Sequence, residues 1–114
     1  MKYLRPETKI IGVEPEDAAS MKASIEAGKP VVLDNVGIFA DGVAVKSPGD
    51  ETFNICRNTL DDVITISVDE MCAAIRDVFD DTRTLMEPAG ALSVAGLKKY
   101  VEQSGAVDLS LIHI

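Results

Sequence analysis

The sequence holds no apolar run long enough to cross a membrane: the longest such stretch, Val36 to Ala40, falls far short of the roughly 20 residues a spanning helix needs. It does not open like a secretory leader either, because Lys2, Arg5 and Pro6 come within the first few residues and no apolar core follows. The cytoplasm is the compartment this implies. Positive charge is in short supply, with 11 Lys and Arg against 19 Asp and Glu, a net charge of -8. The basic residues are scattered, only Lys98-Lys99 being adjacent, so the chain repels a phosphate backbone and nucleic acid is not an expected partner. Cysteine is sparse as well. Cys56 and Cys72 fall in segments of helical period, far apart and with no histidine at metal-ligand spacing, which argues against zinc and redox chemistry and for two buried thiols. The one histidine, His113, has no neighbour that would make it a base or a ligand. Internal repeats and low-complexity linkers are also missing.

What is present is the material of one ordinary domain: 114 residues, 46% hydrophobic and 26% charged. Lys9 to Val13 is a short apolar, β-branched run closed by Glu14-Pro15 and reads as a buried strand. Ala18, Ala19, Met21, Ala23, Ile25 and Ala27 then mark a helix that Gly28 and Pro30 end, positioned to cover one sheet face. From Pro30 to Gly49 the period is lost, which predicts a long ordered loop with one short strand at Val31 to Leu33. Asp50 is placed to cap a helix running to about Leu60, and Val63 to Ile66 reads as a second strand.

Ser67-Val68-Asp69-Glu70 has capping-box spacing, so the next helix should start there. Met71, Ala74, Ile75, Val78 and Phe79 form its apolar stripe, with Asp77, Asp80 and Asp81 on a solvated face rather than at a metal. Pro88 suits the first turn of a last helix, whose stripe is Ala91, Leu92, Val94, Ala95, Leu97 and Val101 and which Gly105 stops. The order of elements is that of an α/β layered domain with a mainly parallel sheet. Only two or three strands are visible, fewer than such a sheet needs to shield its edges, so further strands are expected from elsewhere in the protein or from a partner.

Three short patterns can carry chemistry: Gly12-Val13-Glu14-Pro15 at a strand end, Phe39-Ala40-Asp41-Gly42 in the long loop, and Glu87-Pro88-Ala89-Gly90-Ala91 opening a helix. Each alone also reads as a turn or cap, although strand ends and helix starts are where α/β folds place ligands. In this order and spacing they resemble the parallel-sheet large domain of the fold-type II pyridoxal-phosphate enzymes. Within that group Phe39 through Val45 and Gly49-Asp50-Glu51-Thr52-Phe53 are most similar to the biosynthetic threonine dehydratases. Serine racemases and serine dehydratases are the near alternatives, and a small noncatalytic α/β binding protein is an alternative of another class.

The resemblance implies a lyase that turns L-threonine into 2-oxobutanoate and ammonia for isoleucine biosynthesis, using pyridoxal 5'-phosphate, with an amino acid as the small-molecule partner and a homo-oligomeric parent. It implies that residues 1–108 are part of the catalytic domain and that the cofactor's lysine lies outside this stretch, since none of the seven lysines has the family's serine-phenylalanine-lysine setting. No catalytic residue is therefore assigned, and the piece alone is expected to be inactive and not to fold independently. Gly42 and Glu87 are the residues assigned to the cofactor, Gly42 because a missing side chain permits close approach. Glu87 has a second reading as an acidic residue favoured at a helix start. Glu14 and the Ala18 carbonyl match a cation site of serine-racemase-like members, but Ser20 stands where a third, acidic ligand belongs, which favours a structural role for Glu14. Residues 109–114, Leu-Ser-Leu-Ile-His-Ile, depart from the resemblance and read as a non-native or truncated tail, with a terminal strand as the alternative.

Overall fold

Two five-residue strands, β1 (Ile11–Pro15) and β2 (Asp62–Ile66), lie side by side in parallel, with Ile11 opposite Asp62 and Pro15 opposite Ile66. This computed structural model describes residues 1–105; His113 and the tail from Leu109 lie outside the described residues. Four α-helices follow in chain order: α1 (Ser20–Ala27), α2 (Asp50–Thr59), α3 (Val68–Thr82) and α4 (Pro88–Ser104). Short 3-10 turns occupy Glu16–Ala18 and Asp41–Val43. The architecture is the parallel α/β layering that the sequence implies, and both strands of the described sheet have an open edge.

The strand β1 starts later than the apolar run does and continues through Pro15. Its beginning is set by Asp61, whose carboxylate takes the Ile10 amide at 2.7 Å while the Asp61 amide donates to the Ile10 carbonyl at 2.9 Å. The Lys2 ammonium, 2.7 Å away, and the Ile10 amide hold that carboxyl below the usual aspartate range. Proline is tolerated at the last position of a strand with an open edge because no inner ladder depends on its missing N–H. The helix α1 likewise starts later than expected, at Ser20. Both oxygens of Glu14, on β1, accept the Met21 and Lys22 amides at 2.9 Å, so a strand residue supplies the acceptors that a helix start requires. Gly28 ends α1 in the left-handed conformation, with φ 72°.

No strand forms at Val31 to Leu33. The Val31 amide is taken by the Ser24 hydroxyl at 2.8 Å and the Leu33 amide by the Lys46 carbonyl at 2.8 Å, which leaves no ladder to build. Asp50 is the first helical residue of α2 and not its cap; Gly49 holds the cap position, and Asp50 and Glu51 contribute through the helix dipole. The capping box at α3 is present in full, with the Ser67 hydroxyl accepting the Glu70 amide at 3.3 Å and Glu70 accepting the Ser67 amide at 2.7 Å. Burial works against ionised Glu70, but the Ser67 amide and the Lys99 ammonium outweigh it and hold its carboxyl below the ordinary glutamate range.

The core joins α3, α4 and the end of β2 through Ala40, Ile66, Met71, Ala74, Ala89, Ala91, Leu92 and Ala95. Five of these eight are alanines, so the elements approach closely. The closest approach is at Gly96, where an added Cβ would lie 2.6 and 2.7 Å from the methyl groups of Val13. Phe79 and Val101 lie at the edges of their stripes and are exposed, 43% and 37%. Asp77 is half-buried and paired with Lys98 of α4, so the acidic run is not wholly a solvated face.

The cysteines also differ from expectation. Cys72 follows Met71 by about 100° around α3 and is exposed, while Cys56 is only half-buried, its thiol pushed up by burial and by the charge of Glu14. No described helix is long and apolar enough to cross a membrane.

The Gly96 contact makes a direct prediction. Gly96→Ala must lift α4 from β1 and should destabilise the intact polypeptide by about 1–3 kcal/mol in denaturant unfolding; an unchanged midpoint would show that this close approach is not needed.

Candidate functional site

Both parallel strands end on the same side, which is where α/β folds place ligands. An open cleft of about 260 Å³ at these ends is lined by Glu16, Asp17, Ile66, Ser67 and Val68. The loop from Pro30 to Gly49 crosses the same region. Its base is tied by the hydrogen bond from Leu33 to Lys46, and the Gly37 amide donates to the Asp17 carbonyl at 2.9 Å. Ala40, 3% exposed, then enters the core beside Ile66 and Ala89, and the 3-10 turn Asp41–Val43 follows at once.

That turn brings Gly42 onto the start of α4. A Cβ on Gly42 would be 3.1 Å from the Ala89 Cβ and 3.9 Å from Glu87 Oε1. Two residues assigned separately from the sequence, 45 positions apart, are thus neighbours. Glu87 holds the cap position of α4, yet its side chain makes no capping hydrogen bond, and its Oε1 is on the Gly42 side. Pro88, at the first helical position, has no N–H to satisfy and fixes the helix start beneath the turn. The φ of Gly42 is not in the left-handed region, so its need for glycine is one of space and not of backbone strain.

The chain matches the family model described as pyridoxal-phosphate dependent enzyme over residues 1–108. It belongs to that family. It is 51% identical over all 114 residues to the L-threonine dehydratase biosynthetic IlvA of Pasteurella multocida, and spans 22% of that relative's length. Among solved structures, the processed form of threonine deaminase isoform 2 from Solanum lycopersicum superimposes with a TM-score of 0.89 at 45% identity, over 92% of this chain and 31% of that one. Maize serine racemase gives 0.81 at 30% identity, over 90% of this chain and 32% of that one.

The small residues Ala40, Gly42 and Ala89 are of the kind that the wall of a flat aromatic cofactor needs, and the tight packing of Gly42 on Ala89 by itself accounts for the glycine. Glu14 and Ala18 lie elsewhere, at the junction of β1 with α1: Ala18 is 2% exposed, and both Glu14 oxygens already accept backbone amides. Among the described residues no group of three or more His, Cys, Asp or Glu side chains is placed to hold a metal ion.

Reading the sequence did not single out Asp17, Gly37, Ala40 or Ala89. Ala40 and Ala89 stood inside quoted motifs, and their small size beside Gly42 and Glu87 was the available signal. Gly37 and Asp17 had none, since their relation is made only in three dimensions.

Removing the Glu14 carboxylate leaves the Met21 and Lys22 amides without their partner. Glu14→Ala is expected to cost about 1–3 kcal/mol of stability in the intact polypeptide, with or without magnesium. A loss seen only when magnesium is present would assign Glu14 to a cation instead.

Proposed function

We propose that the protein carrying these residues is a pyridoxal-phosphate-dependent threonine ammonia-lyase, converting L-threonine to 2-oxobutanoate and ammonia in isoleucine biosynthesis. In this reading the segment forms one wall of the cofactor and substrate cavity. The observation that carries it is the contact of the Gly42 turn with Glu87 and Ala89 at the end of a parallel sheet. The choice of threonine is supported by the 51% identity to a relative named as a threonine dehydratase. The likeness to maize serine racemase favours a second reading, a serine racemase or serine dehydratase.

The chemistry that bound pyridoxal phosphate supplies is that of an electron sink at the substrate's α-carbon. The residues of this chain shape and limit that chemistry. Gly42 offers backbone without a side chain, so a ring face can approach within van der Waals contact. Ala40 and Ala89, both buried, would exclude water from that side of the bound cofactor. Glu87, at the cap position of α4 with Oε1 turned toward Gly42, would supply a carboxylate beside the bound cofactor. Five of the lysines have structural work: Lys2 pairs with Asp61, Lys22 donates to the Val63 carbonyl, Lys46 to the Asp34 carbonyl, Lys98 pairs with Asp77, and Lys99 donates to the Thr65 carbonyl and Glu70. The cofactor lysine is assigned to the part of the protein beyond residues 1–114, and Glu14 to the scaffold. The same reading expects a cytoplasmic homo-oligomer.

Incubating the intact polypeptide and pyridoxal phosphate with L-threonine or L-serine tests this, with oxo acid as the readout. The expected result is 2-oxobutanoate from threonine, with kcat/KM exceeding that for serine by roughly tenfold or more. D-serine formed without oxo acid would favour the racemase reading.

A further inference from the structure

Pro15 lies opposite Ile66 in the parallel register and has no N–H, so the ladder cannot run through it. The register then joins Gly12 and Glu14 of β1 to Asp62, Ile64 and Ile66 of β2, and the backbone groups of Val63 and Thr65 point off the sheet. Side chains take those outward groups. The Val63 amide donates to the Asp62 carboxylate at 2.7 Å, the Lys22 ammonium donates to the Val63 carbonyl at 3.1 Å, and the Lys99 ammonium to the Thr65 carbonyl at 3.0 Å. The two lysines come from opposite faces of the sheet. Lys22 is on α1, which sits on Glu14, and Lys99 is on α4, which rests against Val13; neighbouring strand residues face opposite ways. Both ammoniums are held firmly: Lys22 is tied to Glu14 through its own amide, and Lys99 also pairs with Glu70 at 3.0 Å.

We infer that Lys22 and Lys99 guard the outer edge of β2 against pairing with the same edge of a second copy of this chain. That copy is the occupant the edge fits without the lysines. Val63-Ile64-Thr65-Ile66 is β-branched throughout and contains no proline, which is the composition of a self-pairing strand. In an antiparallel pair of such edges Val63 of one copy meets Thr65 of the other and they exchange both backbone bonds, a two-fold arrangement that closes on itself. Every one of those bonds ends on a carbonyl that Lys22 or Lys99 occupies. Pairing would therefore strip two half-buried ammoniums of their acceptors and bring like charges together across the joint, the means by which edge lysines prevent strand addition.

The inference does not rest on the function proposed above, and neither does its test. The intact polypeptide that contains residues 1–114 is compared as wild type, Lys22→Met/Lys99→Met and Lys22→Arg/Lys99→Arg. Sedimentation and amide exchange at Thr65 and Ile64 are the readouts. In wild type the outward Thr65 amide should exchange about tenfold or more faster than the ladder amide of Ile64. The methionine variant should associate beyond the wild-type assembly as its concentration rises, with Thr65 exchange slowing by about tenfold and Ile64 still protected. The arginine variant should behave as wild type. Equal protection of Thr65 and Ile64 in wild type would overturn the inference, because another strand would already lie on that edge. It would also be overturned if the methionine variant kept the wild-type assembly, if its association came with loss of Ile64 protection, or if the arginine variant associated equally.

Discussion

The parallel pairing of β1 with β2 is the constraint on which the rest depends, because it brings two strand ends together at one edge. Parallel strands cannot be joined by a tight turn, so the 46 residues between Pro15 and Asp62 must cross from one end of the sheet to the other. They do so through α1, the long loop and α2. This crossing lets residues near the end of β1 and residues of the loop meet α4, which comes after β2. Glu14 is the hinge of the arrangement, since one strand residue fixes where α1 begins.

The second constraint is closeness. Large side chains at Gly96, Ala91 or Ala95 would hold α4 away from the strands and raise its first turn out of reach of the loop. With glycine and alanine there, α4 rests on Val13 and carries Ala89 and Glu87 to the point where Gly42 arrives. The seat of the Gly42 turn on α4 thus depends on the same small residues that make the core. Open sheet edges are consistent with a chain spanning 22% of the length of a relative it matches.

Much of this was legible in the residues themselves. The capping box at Ser67 and Glu70, the proline start of α4 and the glycine stops at Gly28 and Gly105 are local rules acting within a few positions, and each holds in the structure. Gly42 and Glu87 were assigned through resemblance, and nothing in their local sequence says that they lie near each other. The strand expectations failed because the partner of a group lay outside its local sequence. Asp61 delays β1, and Ser24 and Lys46 take the amides that a strand at Val31 to Leu33 would use. Cys72 was misjudged by a smaller margin, a turn of one residue around α3.

The central claim is that Gly42 and Glu87 form one wall of a pyridoxal-phosphate site. A crystal structure of the intact polypeptide with the cofactor bound tests it most directly. The account requires the ring to lie against the Gly42 backbone with the Glu87 carboxylate beside it; a cofactor seated elsewhere, with a side chain from another segment packed over Gly42, would contradict it.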